Sequence, residues 1–579
     1  MGSMTVSRIL LEMLTRYDVE HVFGLPGETT LPWYKDWHDY PQIEHVLVRD
    51  QRSGAFMAEA YTKVKGKPGV CEAPSPGAAH VLPAVAEARK GSVPLIVFTT
   101  DVPLDQRRRN MLTEFDQSSV FEGVTKESIT LTTASEVPRS LRRAFRVATT
   151  DKPGPVHIRI PQDLFSAELT DPDLSVNRQF GTYPGTRPVA SESSISRCRK
   201  MLWESAKPLL LCGQGALASG ASGEIKDLAE TFGALVGTTM TGKGIIEETH
   251  PLSVGVVGSR GGTEFSNGML KEAELIFFIG CNTDSAATSH WQLPAPETDK
   301  KLIQLDISAE ELGNNYLLDV AMSGDAKATV RKILQASEGK EQDQDRGKVP
   351  DLPYLREASK RKDEHRNRLS SLMKSEETPI HPLRFVSDLA QALPDNHVIA
   401  CDPGVSAIYP SAYLQPRNPG RSILFNYSLG ALGYAIPAAI GAYHASQDSC
   451  VIAWAGGGSF GFSAGELETI QRLNTDINIV LFDNGSFGWI RAAASFSDEG
   501  QEPFQTDFTS PDYPAIAKGF GLEGYRVSSA GELLPTLEKA FGSDRPTLIE
   551  LPVKTEDRQV PPVPSWIERA SSSGLDYVY

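Results

Sequence analysis

Short apolar runs separated by amphipathic stretches recur along nearly the whole chain. Val6, Ile9, Leu10, Met13 and Leu14 repeat at helical spacing, and the strand-like run His21–Phe23 follows, then the turn Gly24-Leu25-Pro26-Gly27. Pro94–Phe98 and Val156–Ile160 read as buried strands. The rhythm resumes with Pro208–Cys212, Leu275–Ile279 and Lys301–Leu305. It returns a third time with Val398–Ala400, Val451–Trp454, Ile479–Phe482 and Thr547–Glu550. Continuous apolar runs alternating with helical patterns predict parallel sheets covered on both faces. The fold class is therefore α/β, with three doubly wound parallel-sheet domains.

Polar segments set the boundaries. The domains are expected at residues 4–170, 193–336 and 380–553. Residues 171–192 are rich in Pro, Gly, Ser and Thr and read as a linker. Residues 337–378 are strongly charged and predict a surface connection with some helix, not a core element. A tail, 554–579, carries Pro561, Pro562, Pro564 and a serine run, and either covers another surface or lacks order.

Composition narrows the classes. The 579 residues are 40% hydrophobic and 22% charged, with a net charge of −16. That balance argues against general binding to nucleic acid or an anionic membrane. No run reaches the length of a membrane span. The six cysteines form no CxxC pair or Cys/His cluster, so reduced thiols and a cytoplasmic location are expected.

The densest chemical signal is Val451–Gly488. An apolar run ends in Gly456-Gly457-Gly458-Ser459; a helical pattern follows, then a second apolar run ending in Asp483-Asn484-Gly485. Loop amides at such a glycine turn favour an anion, although a tight turn with no ligand looks the same. Other segments stand in order around it: Phe23–Gly27, Arg49-Asp50-Gln51, Ala55–Tyr61, Pro74–Ala78, Lys152–Val156, Ile160–Asp163, Leu429–Gly433 and Pro437–Gly441.

This ordered set, from about Met4 to Val553, resembles the acetolactate synthase-like branch of the thiamine diphosphate (ThDP) enzymes. The resemblance implies pyrimidine-binding, central and diphosphate-binding domains, in that order. It places Pro26, Gly27, Gly404, Ser406, Gly430, Leu432, Gly456, Gly457, Gly458, Ser459, Asn484 and Ser486 around ThDP. In the family, Mg²⁺ is held by the Asp of a Gly-Asp-Gly motif, a later Asn and a backbone carbonyl. The last two map to Asn484 and Ser486, but Gly457 stands where the Asp belongs, so the metal set lacks its carboxylate. The activating Glu maps to Gln51, which can hydrogen-bond the pyrimidine but cannot exchange a proton. Alternation along a strand is expected to aim Asp50 away from Gln51, and Asp483 away from Asn484.

Further correspondences implied by the resemblance are His80 as a cleft-facing proton carrier or a structural His, and Lys126 as an active-site or solvated lysine. Phe115-Asp116 replaces a Phe-Gln pair, and the Trp that favours a larger second oxoacid is absent. The central domain resembles the flavin-binding version through Gly213, Gly215, Thr239, Met240, Gly280, Asn282 and Asp306, the two glycines letting a nucleotide approach backbone amides. The expected function is a lyase or carboligase acting on a 2-oxoacid or related small carbonyl compound, with non-standard ThDP activation. FAD, a homodimer or a homotetramer accompany that expectation. Two other readings stay open: a flavoprotein with ThDP-independent chemistry, and a non-catalytic binding subunit.

Overall fold

The computed structural model describes residues 2–335, 352–496, 502–556 and 558–572. It contains three six-stranded α/β sheets. In space, the first runs Glu44–Leu47, His21–Gly24, Gly69–Ala73, Leu95–Asp101, Val156–Pro161, Glu127–Thr130. Taken in chain order, this is second, first, third, fourth, sixth, fifth. The third sheet repeats it: Ile423–Phe425, His397–Cys401, Cys450–Gly456, Asn478–Asp483, Thr547–Pro552, Glu523–Arg526. The central sheet differs: Ser253–Val256, Leu235–Thr238, Pro208–Cys212, Leu275–Ile279, Lys301–Asp306, Val320–Ser323. That is the third-second-first-fourth-fifth-sixth order of dinucleotide-binding sheets. In each sheet the order reverses beside the first strand, and ligands of such sheets bind at the carboxyl ends near that point.

Chain contacts divide the molecule into two compact units. One comprises Met1–Thr186, Asn426–Ala453 and Gly461–Ile477, the other Arg187–Phe425, Trp454–Phe460 and Asn478–Tyr579. In the first unit, helix Val6–Arg16 lays its apolar stripe on the sheet, and Trp33 is fully buried against Phe98 and Phe165. Helix Gln51–Lys65 is buried along most of its length. It meets helix Ala435–Ala445 so closely that a Cβ on Gly441 would lie 2.1 Å from the Met57 carbonyl oxygen. Glycine at 441 is therefore a packing requirement.

In the second unit, strand residues Leu209–Cys212, Ile276–Ile279 and Ile303 form the centre of the central-domain core. The charged segment is only partly a connection. Residues 336–351 lie outside the described residues, but Pro353–Met373 is one long helix. Its Tyr354, Leu355 and Ala358 join the central core, because one side of this polar helix keeps an apolar spacing that charge alone hides. The tail also folds back. Val560, Val563, Trp566 and Ala570 pack with Ala492 and Phe496 of the segment Gly488–Phe496. All six cysteines are unpaired. No helix among the described residues is long and apolar enough to cross a membrane.

Candidate active site

At the carboxyl edge of the first sheet, three loops are stitched together. Thr29 Oγ accepts the Ser75 amide at 3.1 Å and the Thr100 hydroxyl at 2.6 Å. Ser75 donates to the Thr113 carbonyl at 2.8 Å. Gly27 packs on Pro74, where a Cβ would come within 2.4 Å of the ring, and its amide donates to Thr30 Oγ at 2.9 Å. Pro26 belongs to the same turn. Gln51 enters this edge as the first residue of its helix, and Asp50 is the N-cap, accepting the Arg52 amide at 2.8 Å. Asp50 thus turns away because it caps a helix; the strand alternation expected from the sequence does not operate here.

The Gln51 side chain is buried and crosses over Gly77, which has room for it only because it lacks a Cβ. Its Oε1 accepts from His80 Nδ1 at 3.0 Å. A carbonyl oxygen can only accept, so the proton is on Nδ1 and the Gln51 amide nitrogen is left as donor. The structure therefore brings Gln51 and His80 together. Phe115 and Asp116 lie in the loop after Leu95–Asp101. Asp116 caps the next helix and accepts the Ser119 hydroxyl at 2.5 Å; that bond lowers its pKa. Arg159 Nη2 donates to the Phe115 carbonyl at 3.5 Å.

Lys126 stands elsewhere. It precedes strand Glu127–Thr130, at the amino end of the sheet, and its ammonium donates to the carbonyls of Val147 and Thr150 at 2.5 and 2.8 Å. Burial pushes its pKa down to about 8. It is a cap on the end of helix Val137–Thr149, and the active-site role considered from the sequence does not match that position.

Two buried carboxylates that sequence reasoning missed anchor backbone in this unit, Glu466 at this edge and Glu87 near the end of helix Leu82–Lys90. Glu466 accepts the amides of Arg49 and Asp50 at 3.0 and 3.1 Å and the Thr469 hydroxyl at 2.6 Å. Burial raises its pKa, opposed by those bonds. Glu87 accepts the amides of Ser428, Leu429 and Gly430 at 2.9, 2.6 and 3.1 Å. It fixes the turn that leads through Gly430, at φ 84°, to the half-buried Leu432. Their only sequence signal was an acidic residue inside an otherwise apolar helix face.

In the second unit, Gly404, at φ 99°, opens helix Val405–Tyr413, and Ser406 is buried in its first turn. A Cβ on Gly456 would lie 3.9 Å from Ser406 Oγ. Gly457–Phe460 forms a single helical turn containing Gly458 and Ser459. The position of the missing carboxylate is walled off: a Cβ on Gly457 would sit 2.6 Å from the Tyr513 hydroxyl and 3.6 Å from the Phe508 ring. Phe487 closes over Gly458 in the same way, at 2.7 Å. Asn484 follows strand Asn478–Asp483; its Nδ2 donates to both Glu556 oxygens at 2.8 and 2.9 Å, and its Oδ1 accepts the Ser486 amide at 3.0 Å. Asp483 is directed away, accepting from Ser510 Oγ at 2.5 Å. Glu556 is buried and fills the space over Gly488, where a Cβ would fall 2.0 Å from its Oε2. A carboxylate is therefore present beside Asn484, supplied by the tail.

The central-domain residues also gather at one carboxyl edge. Gly213 and Gly280 follow adjacent strands at the reversal point, with Gly215, Thr239, Met240, Asn282 and Asp306 in the neighbouring loops. The amides of Gly213 and Gly215 donate to the carbonyls of Ile279 and Gly280, both at 3.0 Å. They are not the free donors expected from the sequence. These glycines are small because the two loops interlock: a Cβ on Gly213 would lie 2.3 Å from the Gly280 oxygen.

Comparison with known proteins decides the family. The thiamine pyrophosphate enzyme N-terminal TPP binding domain matches residues 4–120, the central domain 195–333 and the C-terminal TPP binding domain 402–551. The chain belongs to the thiamine pyrophosphate enzyme family. Within this family its relatives are acetolactate synthase-like. It is 31% identical to a probable acetolactate synthase large subunit of Methanocaldococcus jannaschii, covering 96% of this chain and 93% of that protein. It is 30% identical to the acetolactate synthase large subunit of Corynebacterium glutamicum, over 100% and 90% of the two chains. With the isozyme 1 large subunit of Escherichia coli it shares 29% over 97% and 96%. In this chain the Cβ position of Gly457 is crowded by Tyr513, and the carboxylate at Asn484 is that of Glu556. In that pairing both Glu556 oxygens accept from Asn484 Nδ2, while Asn484 Oδ1 accepts the Ser486 amide.

Proposed function

We propose that the protein is a ThDP-dependent lyase or carboligase acting on a 2-oxoacid or related small carbonyl compound, with Gln51 in place of the activating acid. The observation that carries this reading is the buried Gln51–His80 pair at the carboxyl edge of the pyrimidine-binding domain. The acetolactate synthase names of the full-length relatives support the substrate class.

ThDP, when bound, supplies a carbanion that adds to carbonyl carbon and stabilises the negative charge left when CO₂ departs. This chain's residues do the rest. His80 holds the Gln51 oxygen, which turns the Gln51 amide N–H toward the cleft as a fixed hydrogen-bond donor for a pyrimidine nitrogen. Gln51 orients the ring without moving a proton. His80 Nε2 is left as the acceptor nearest to it and is the candidate proton carrier. Glu466 fixes the backbone on which Gln51 sits, and Glu87 fixes the turn carrying Leu432. The loop Gly456–Ser459 would bind diphosphate, and Asn484, Glu556 and the Ser486 carbonyl would hold Mg²⁺ once the Asn484 amide turns from Glu556. FAD at the central edge, and assembly as a dimer or tetramer, extend this reading by analogy with the family.

The test is reconstitution of the full chain with ThDP and Mg²⁺, followed by calorimetry and by CO₂ release from pyruvate and other 2-oxoacids. Saturable ThDP binding with CO₂ release that Gln51→Ala lowers supports the proposal. Binding of flavin with no affinity for ThDP would instead favour ThDP-independent chemistry, and absence of any cofactor binding would favour a binding subunit.

A further inference from the structure

A second group of side chains stands at the opposite, amino end of the first sheet, and nothing above uses it. His21 and Glu44 are the first residues of adjacent strands and are paired in register. His444, near the end of helix Ala435–Ala445, comes up against them. His21 Nε2 lies 3.4 Å from Glu44 Oε2, and His444 Nδ1 lies 3.9 Å from the same oxygen. One ligand atom from each residue falls within 4.8 Å of the other two.

We propose that His21, Glu44 and His444 bind a divalent transition-metal ion of the zinc type. Two imidazoles and one carboxylate are a donor set that zinc accepts, with a fourth position left for water. Ligands bonded to zinc at about 2.1 Å in a tetrahedron lie roughly 3.4 Å apart. His21 and Glu44 already have that spacing, and His444 Nδ1, at 3.9 Å from the same oxygen, stands a little farther out.

The independent observation is the state of His444. Its side chain is 4% exposed, yet among the described residues neither ring nitrogen has a hydrogen-bond partner, and His21 Nδ1 has none either. A buried imidazole with both nitrogens unmatched is costly, and core histidines normally find a partner. Here the rings are held by packing instead: His444 lies 4.7 Å from the His21 ring and 5.8 Å from Phe23. That fixes their direction while leaving their lone pairs for a ligand. Glu44, about half exposed, gives an ion a way in. The bound ion would tie helix Ala435–Ala445 to the sheet edge, away from the Gln51 end.

The full chain, stripped with a chelator, is titrated with Zn²⁺ against a chromophoric competitor. Co²⁺ absorption then reports the coordination geometry. One ion per chain is expected, with tetrahedral Co²⁺ bands. Affinity should drop by at least about tenfold in both His444→Ala and Glu44→Gln. No uptake by the unaltered chain, or uptake undiminished in both variants, would overturn the site. Should His444→Ala fail to fold, the half-exposed Glu44→Gln decides alone.

Discussion

The first and third sheets have the same strand order, and each places its candidate chemistry where that order reverses, yet the two edges depart from the family pattern in different ways. At the first edge the change is nearly isosteric. Gln51 occupies the place of an acid, its surroundings intact: Gly77 leaves it room, His80 binds it and Glu466 anchors its helix. At the third edge the surroundings are crowded. Tyr513 and Phe508 line the space beside Gly457, and a carboxylate from a distant segment sits at Asn484. One edge sets a neutral amide beside His80; the other sets a carboxylate beside Asn484. Shared topology sets where a site lies, and the loops decide what it can do.

The contrast can be tested, the largest effect first. If the first edge lacks only the proton, Gln51→Glu should speed deprotonation of bound ThDP by roughly 10²–10⁴-fold, read as hydrogen–deuterium exchange at its reactive carbon. An unchanged rate would mean that more than the acid is missing. At the third edge, Glu556→Gln should weaken Mg²⁺ binding in the presence of ThDP by roughly ten- to a hundredfold, measured by calorimetry. Equal affinity would show that Glu556 is only a packing group. Gly457→Asp should not rescue the metal site. Its Cβ meets the Tyr513 hydroxyl, so a loss of about 1–3 kcal/mol in denaturant unfolding is expected. A stabilised variant with tighter Mg²⁺ binding would refute the crowded-edge account.

The smallest effect concerns pH. His157 is buried under the first sheet's edge strand, bonded to Thr99 at 2.6 Å and Ser128 at 2.8 Å and stacked on Phe121. Burial pushes its pKa from 6.5 down to about 3. Above 6.5 it is neutral folded or unfolded and contributes nothing to pH dependence. Below 6.5 the unfolded chain gains a proton that the folded chain refuses. Stability therefore falls with pH, by up to about 1.4 kcal/mol per unit, until the folded pKa is reached. The urea midpoint at pH 5 should lie below that at pH 7.5, and His157→Gln should reduce the difference.

Much of this was legible in the sequence. The three-sheet architecture followed from apolar runs because parallel strands buried on both faces leave an unmistakable pattern. Motif order singled out Gln51, His80, Gly457 and Asn484 as candidates. Glu556, Glu466 and Glu87 were not, because each acts across more than 70 residues of chain and a lone Glu carries no local signature. Gly213 and Gly215 were ambiguous for the converse reason: a glycine required for loop interlocking looks the same in sequence as one that admits a nucleotide. The core contacts of the helix Pro353–Met373 were hidden by its charge.

The position of Glu556 bears on how the protein comes into being. It lies beyond the last strand of the third sheet, Thr547–Pro552. Strand and carboxylate therefore leave the ribosome almost together. Cleavage just ahead of residue 556 would remove this carboxylate along with Val560, Val563 and Trp566, which pack on Ala492. Asn484 thus gains its partner only when synthesis has run past the last strand.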